Sequence, residues 1–138
     1  MYNKVNFTLN GGVFSQLPSL SHLKLNSASI TAVPPDLVSN SPLLQTINMA
    51  DNFIATLPPN LFSAIANSVG QKSAIISIDL SDNQLNYINE EQFTNLTSLR
   101  KLNLKNNQVT NLSVGVFSDL SNLETLNLEN NKIEMLQT

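Results

Sequence analysis

Five stretches of this chain carry the same spacing of apolar residues, L-x-x-L-x-L: Leu20–Leu25, Leu44–Met49, Ile75–Leu80, Leu99–Leu104 and Leu123–Leu128. In four of them an asparagine follows at the ninth position, as Asn52, Asn83, Asn107 and Asn131. The starts lie 24, 31, 24 and 24 residues apart. A fixed period of this size describes a chain of similar small windings. None can bury its apolar side alone, so neighbours must stack around one continuous core. Such an array offers an extended surface, and a closed catalytic cleft is not its natural product.

Each winding can be read residue by residue. The L-x-L alternation has period two, so Leu23 and Leu25, or Leu102 and Leu104, point inward while Lys24 and Asn103 point out. That predicts a strand of about three residues per unit. Because the chain always travels the same way round, successive strands pair in parallel. The asparagine falls where the chain turns off the sheet, and its amide can serve backbone donors and acceptors that the bend would leave unpaired. Stacked, these side chains predict a ladder in which each loss to alanine costs about 1–3 kcal/mol.

The remainder of each unit carries a second apolar pair, such as Leu85 and Ile88 or Val109 and Leu112, and then an aromatic ring at Phe62, Phe93 and Phe117. Phe14 is equivalent upstream, because Val13–Leu17 matches Val116–Leu120. Rings at one phase of a repeat predict a core spine on the side opposite the sheet. Pro34-Pro35 and Pro58-Pro59 stop sheet pairing there, since proline fixes φ and lacks a donor. Short turns, extended segments or single helical turns are expected instead. The longer second unit holds an insertion at about 63–73. Leu61, Ile65 and Val69 recur every four residues before Gly70, which predicts a helix of two to three turns over 59–70.

Full units therefore start at 20, 44, 75 and 99, with a partial last one over 123–138. Residues 1–19 read as a degenerate half-unit, with Leu9 in the core, and all 138 residues as a single domain. The formal charge is −3, spread without long runs. Neither a nucleic-acid footprint nor a membrane surface is expected, because both need clustered basic residues. No apolar stretch has the length of a membrane span, so no membrane insertion is expected in this segment. Cysteine is absent, which removes disulfides, thiolate metal sites and cysteine nucleophiles.

The combined pattern, L-x-x-L-x-L-x-x-N-x-L-x-x-L with phenylalanine near position 19, resembles the leucine-rich repeat superfamily, specifically its 24-residue "typical" class. The likeness covers residues 20–138 and more weakly 5–19. It implies an α/β fold: a right-handed solenoid with a curved parallel sheet on its concave side and short turns or helical segments on its convex side. It also implies non-catalytic recognition, chiefly of proteins, through the concave face. Members with this phenylalanine are common among secreted and cell-surface proteins, including innate-immune receptors, so an extracellular or cell-surface ectodomain is the expected location and the cytoplasm the alternative. The first unit departs from the pattern, with Ala28 where the asparagine belongs. The cysteine-rich caps of extracellular members are also missing, and a fragment of a longer array is the favoured explanation.

The candidate binding surface follows from the outward positions of the strands and the residues just beyond them: His22, Lys24, Asn48, Ser77, Asp79, Lys101, Asn103, Lys105, Thr125, Asn127 and Glu129. At each of them a merely solvated sheet face is the competing reading, since repeat consensus supplies many of these residues by default. Five strands about 4.8 Å apart make a sheet about 24 Å wide and 10 Å high. That falls well short of the ~800 Å² per partner of a standard interface, so flanking loops must contribute. Alternating charges around Lys101 and Lys105 predict cross-strand pairing. Sequons at Asn6, Asn95 and Asn111 are candidate glycosylation positions, although this composition produces such triplets by chance. No catalytic motif and no metal-ligand spacing occurs, and no cofactor is expected. The reading is a receptor, adhesion or immune-type binding module for a protein partner. Self-association through uncapped ends and an intracellular substrate-targeting arm are the alternatives.

Overall fold

The computed structural model describes residues 7–14, 17–62 and 72–136. Five three-residue strands form one parallel sheet in chain order: β2 (His22–Lys24), β4 (Thr46–Asn48), β5 (Ser77–Asp79), β6 (Lys101–Asn103) and β8 (Thr125–Asn127). Their register has no slip, running Leu23–Ile47–Ile78–Leu102–Leu126 across the sheet. One apolar residue per strand faces the core, and Leu23, Ile47, Ile78 and Leu102 are buried. Pairing continues one residue past each strand, where the amides of Leu25, Met49, Leu80 and Leu104 donate to carbonyls of the next winding at 2.7–2.9 Å.

The insertion does not disturb this register, since β4 and β5 pair as their neighbours do despite the longer connection. Pro59–Phe62 forms a turn. The rest of the helix expected over 59–70 lies outside the described residues.

Opposite the main sheet the chain is held by smaller devices. β1 (Phe7–Thr8) pairs with β3 (Ile30–Ala32), and β7 (Asn111–Leu112) with β9 (Met135–Leu136), all in parallel. Between these two-stranded sheets the descending segments bond one to the next, through Phe53 N–H to the Ile30 carbonyl, Gln84 to Ile54, Gln108 to Leu85 and Lys132 to Val109. One 3-10 turn covers Glu90–Gln92. Its Gln92 is buried and ties two windings together, with Nε2 donating to the Leu57 carbonyl at 3.1 Å while Oε1 accepts from Asn89 N–H.

The core lies between sheet and convex side. Phe62 and Phe93 are stacked with ring centroids 6.2 Å apart, and Phe93 meets Phe117 at 6.1 Å with the rings tilted by 40°. Phe62 and Phe93 are fully buried, and Phe117 and Phe14 are half-buried against the core. By the period of the repeat, the buried Val38 stands at the aromatic position of the winding between Phe14 and Phe62, so the run of rings is interrupted there. Leu9 is buried. At the last winding the core opens, and Leu126 is 38% exposed where its four register partners are not.

Candidate recognition surface

Three rows of polar side chains converge at the edge of the concave sheet. The first belongs to the ninth-position asparagines, all set by one geometry. Asn83 Oδ1 accepts the Ile54 N–H of the preceding winding at 3.1 Å. Its Nδ2 donates to the carbonyls of Met49, Leu80 and Ser81 at 2.9–3.2 Å. Asn107 and Asn131 repeat the arrangement on Leu85 and Val109. Asn52 carries one bond more than the others, facing the winding in which Ala28 replaces the ladder asparagine. Its Oδ1 takes both Ala28 N–H and Ile30 N–H, at 3.1 and 3.0 Å.

The second row immediately precedes the first. Ser27, Asp51, Asp82, Asn106 and Asn130 all sit at φ near +55°, in the left-handed region that short polar residues tolerate best. Held there, their side chains link neighbouring windings: Ser27 Oγ donates to Asp51, Asn106 Nδ2 to Asp82, and Asn130 Nδ2 to Asn106, at 2.7–2.8 Å. Sequence reasoning passed over these residues. Their signal is the run of Asp or Asn directly before each ladder asparagine, as in Asp51-Asn52 and Asn106-Asn107.

The third row runs along the concave face itself. Asn48, Asp79, Asn103 and Asn127 are directly adjacent in register. Each Oδ1 accepts the backbone N–H two residues on, from Ala50, Ser81, Lys105 and Glu129, at 2.9–3.1 Å. This local turn caps the strand end, a role for which Asn and Asp are suited. Four of the candidate binding residues therefore also shape the backbone beneath them. Asp79 takes a further bond from Ser81 Oγ at 2.7 Å.

The remaining concave positions are free of such duties or pair with each other. His22 Nδ1 lies 2.7 Å from Thr46 Oγ1. Lys105, a partly exposed side chain, pairs with Glu129 of the next winding at 3.0 Å, and Arg100 with Glu124 at 3.1 Å, both of these well exposed. Exposed pairs of this kind add little to stability. Lys24 and Lys101 have no ion-pair partner among the described residues. Lys101 instead lies between Ser77 and Thr125 in the register. A shallow depression of about 260 Å³ opens here, bounded by Ser77, Asp79, Lys101, Asn103, Thr125 and Asn127.

Other chemistry is thin. Among the described residues no three His, Asp or Glu side chains gather as a metal site would require. No helix there is long and apolar enough to cross a membrane. Asn95 and Asn111 are exposed, Asn95 at φ +62° with its N–H on Asp119, while Asn6 lies outside the described residues.

Comparisons with known proteins agree with this architecture. Residues 73–133 match the family described as leucine rich repeat, and residues 3–72 match the BspA type leucine rich repeat region. Among solved structures, a chain of the Drosophila Toll–Spatzle complex is 30% identical over 94% of this chain, with a TM-score of 0.81. A leucine-rich repeat protein of Leptospira interrogans is 32% identical over 87%, at 0.74. The APL1 leucine-rich repeat domain shares the fold at 21% identity over 95%, at 0.81. This chain spans 16%, 28% and 32% of those three chains respectively. Register, asparagine geometry and both family matches lead to one conclusion: the chain belongs to the leucine-rich repeat family.

Proposed function

We propose that this chain is a non-catalytic recognition module that binds a protein through its concave sheet and the loops beside it, as part of a receptor, adhesion or immune-type ectodomain. The observation carrying the proposal is the contrast between structurally committed and uncommitted polar groups. The ladder asparagines spend their amides inside the solenoid, whereas the side chains of Lys101, Thr125 and Ser77 stand together on an accessible face with no hydrogen-bond partner among the described residues. Support also comes from the relatives. One matched chain comes from a Toll–Spatzle complex, described as a hub in development and innate immunity.

An extracellular setting fits the Toll–Spatzle relative, which was also solved in a glycosylated form, and is checked directly. In native material, mass spectrometry should find glycan on the exposed Asn95 or Asn111. Complete absence from both argues for the cytoplasmic alternative. The recognition surface is tested by placing bulk on each side of the solenoid. Thr125→Glu on the concave face should weaken binding of the partner isolated with the native protein by at least about tenfold, as for bulk and charge forced into a complementary surface. Melting should stay within about 1 °C, because Thr125 is exposed. Asn86→Arg, exposed on the opposite side, should leave binding intact. The reverse ranking overturns the proposal.

A further inference from the structure

The third row of the concave face has a chemical consequence for what it can hold. In Asn48, Asn103 and Asn127 the side-chain oxygen is occupied by a backbone N–H two residues on. That bond also fixes the amide orientation, since a flipped carboxamide would set an N–H₂ against an N–H. What each asparagine has left to offer a partner is therefore its Nδ2 hydrogens, none of which has a partner among the described residues. In windings four and five two such donors lie side by side, Asn103 against Asn127. Two residues earlier on the same strands stand Lys101 and Thr125, adding an ammonium and a hydroxyl. The nearby cations are already committed, Arg100 to Glu124 and Lys105 to Glu129.

We infer that the block Lys101, Asn103, Thr125 and Asn127 is a receptor for one carboxylate, an aspartate or glutamate side chain of the protein partner. A carboxylate is acceptor-only and meets a group of donors best, more so when one of them is charged. The inference rests on the concave-face reading above. Asp79 sets its boundary. That residue stands where the other windings carry asparagine, and its Oδ1 is filled by both Ser81 N–H and Ser81 Oγ. It has no hydrogen to give and its charge repels an anion, so it confines the carboxylate to windings four and five.

The boundary makes the inference testable in both directions on the intact 138-residue chain. Blocked tripeptides Ala-Glu-Ala and Ala-Gln-Ala are titrated while the side-chain amide signals of Asn103 and Asn127 are followed by NMR. The glutamate peptide should shift both signals and the glutamine peptide neither. Lys101→Gln should weaken the response roughly three- to fivefold, the size of one exposed charge interaction. Asp79→Asn keeps the oxygen that caps Ser81, removes the repulsion and adds a donor, so it should strengthen the response by a similar factor. Equal shifts with the two peptides, an unchanged or weaker response in Asp79→Asn, or a stronger response to inorganic phosphate than to the glutamate peptide each overturns the assignment. The two readings fail separately. If Thr125→Glu still releases the native partner while the peptides are not distinguished, concave recognition stands and the carboxylate alone is lost.

Discussion

Replacing Asn83 by alanine should destabilise the protein by about 3 kcal/mol, lowering its melting temperature by roughly 10 °C. The side chain is buried and makes four bonds to backbone groups of two windings. Alanine leaves Ile54 N–H without its acceptor, inside a winding whose Ile54 side chain is fully buried. It also removes one donor each from the Met49 and Leu80 carbonyls. Met49 keeps a bond from Asn52 and Leu80 one from Asn107, so the loss falls mainly on the amide and the turn. Asn83→Asp should rank close to alanine: the oxygen survives, but a charge replaces the donor among three carbonyls. Asn131→Ala should cost visibly less, because that residue is half-buried at the open end. Chemical denaturation of the three variants checks the order, and equal losses at positions 83 and 131 would show that burial does not set the cost.

The parts of this fold that are legible in the sequence are those set by period. L-x-L alternation can face only one way against a core, and equal spacing forces equal phase, so the register from Leu23 to Leu126 follows from counting. The insertion is legible as a position, because Ile47 pairs with Ile78 across a unit seven residues longer than its neighbours. The concave face is harder. Counting places Asn48, Asn103 and Asn127 outward but does not show that their oxygens turn back to the backbone. That depends on the local bend after the strand, which a period-two pattern does not encode. The same holds for Asp51, Asp82, Asn106 and Asn130, whose positive φ is a property of the turn. Lys101 and Lys105 look alike as residues four apart, yet only Lys105 has a carboxylate, Glu129, within reach on the next winding.

Specificity on this surface follows from departures from the repeat. A perfectly regular concave face would offer the same asparagine in every winding and could bind anywhere along the array. Here Lys24 and Asp79 interrupt the asparagine row, leaving Asn103 and Asn127 as its one adjacent pair among the five strands. Irregularity at Ala28 acts differently. It removes one rung of the ladder, where Asn52 Oδ1 accepts both Ala28 N–H and Ile30 N–H, and so alters the scaffold rather than the concave row.

Phe93→Ala should be more damaging still, at about 4 kcal/mol, the usual range for removing a buried aromatic from a packed core. Phe93 is 1% exposed and is the ring that touches both Phe62 and Phe117. Its loss opens a cavity and removes both ring contacts at once, a large share of the 5–15 kcal/mol that holds a typical domain. In a stacked array each winding is stabilised chiefly by its neighbours, so a defect in the middle divides the molecule. Hydrogen exchange should show the amides of Leu104 and Val109, beyond the defect, losing protection before those of Met49 and Ile54. Phe117→Ala, at a half-buried ring with one aromatic neighbour among the described residues, should cost about half as much and leave the earlier windings protected. If protection falls evenly from Met49 to Val109, the solenoid unfolds as one unit, and the aromatic spine does not couple its windings pair by pair.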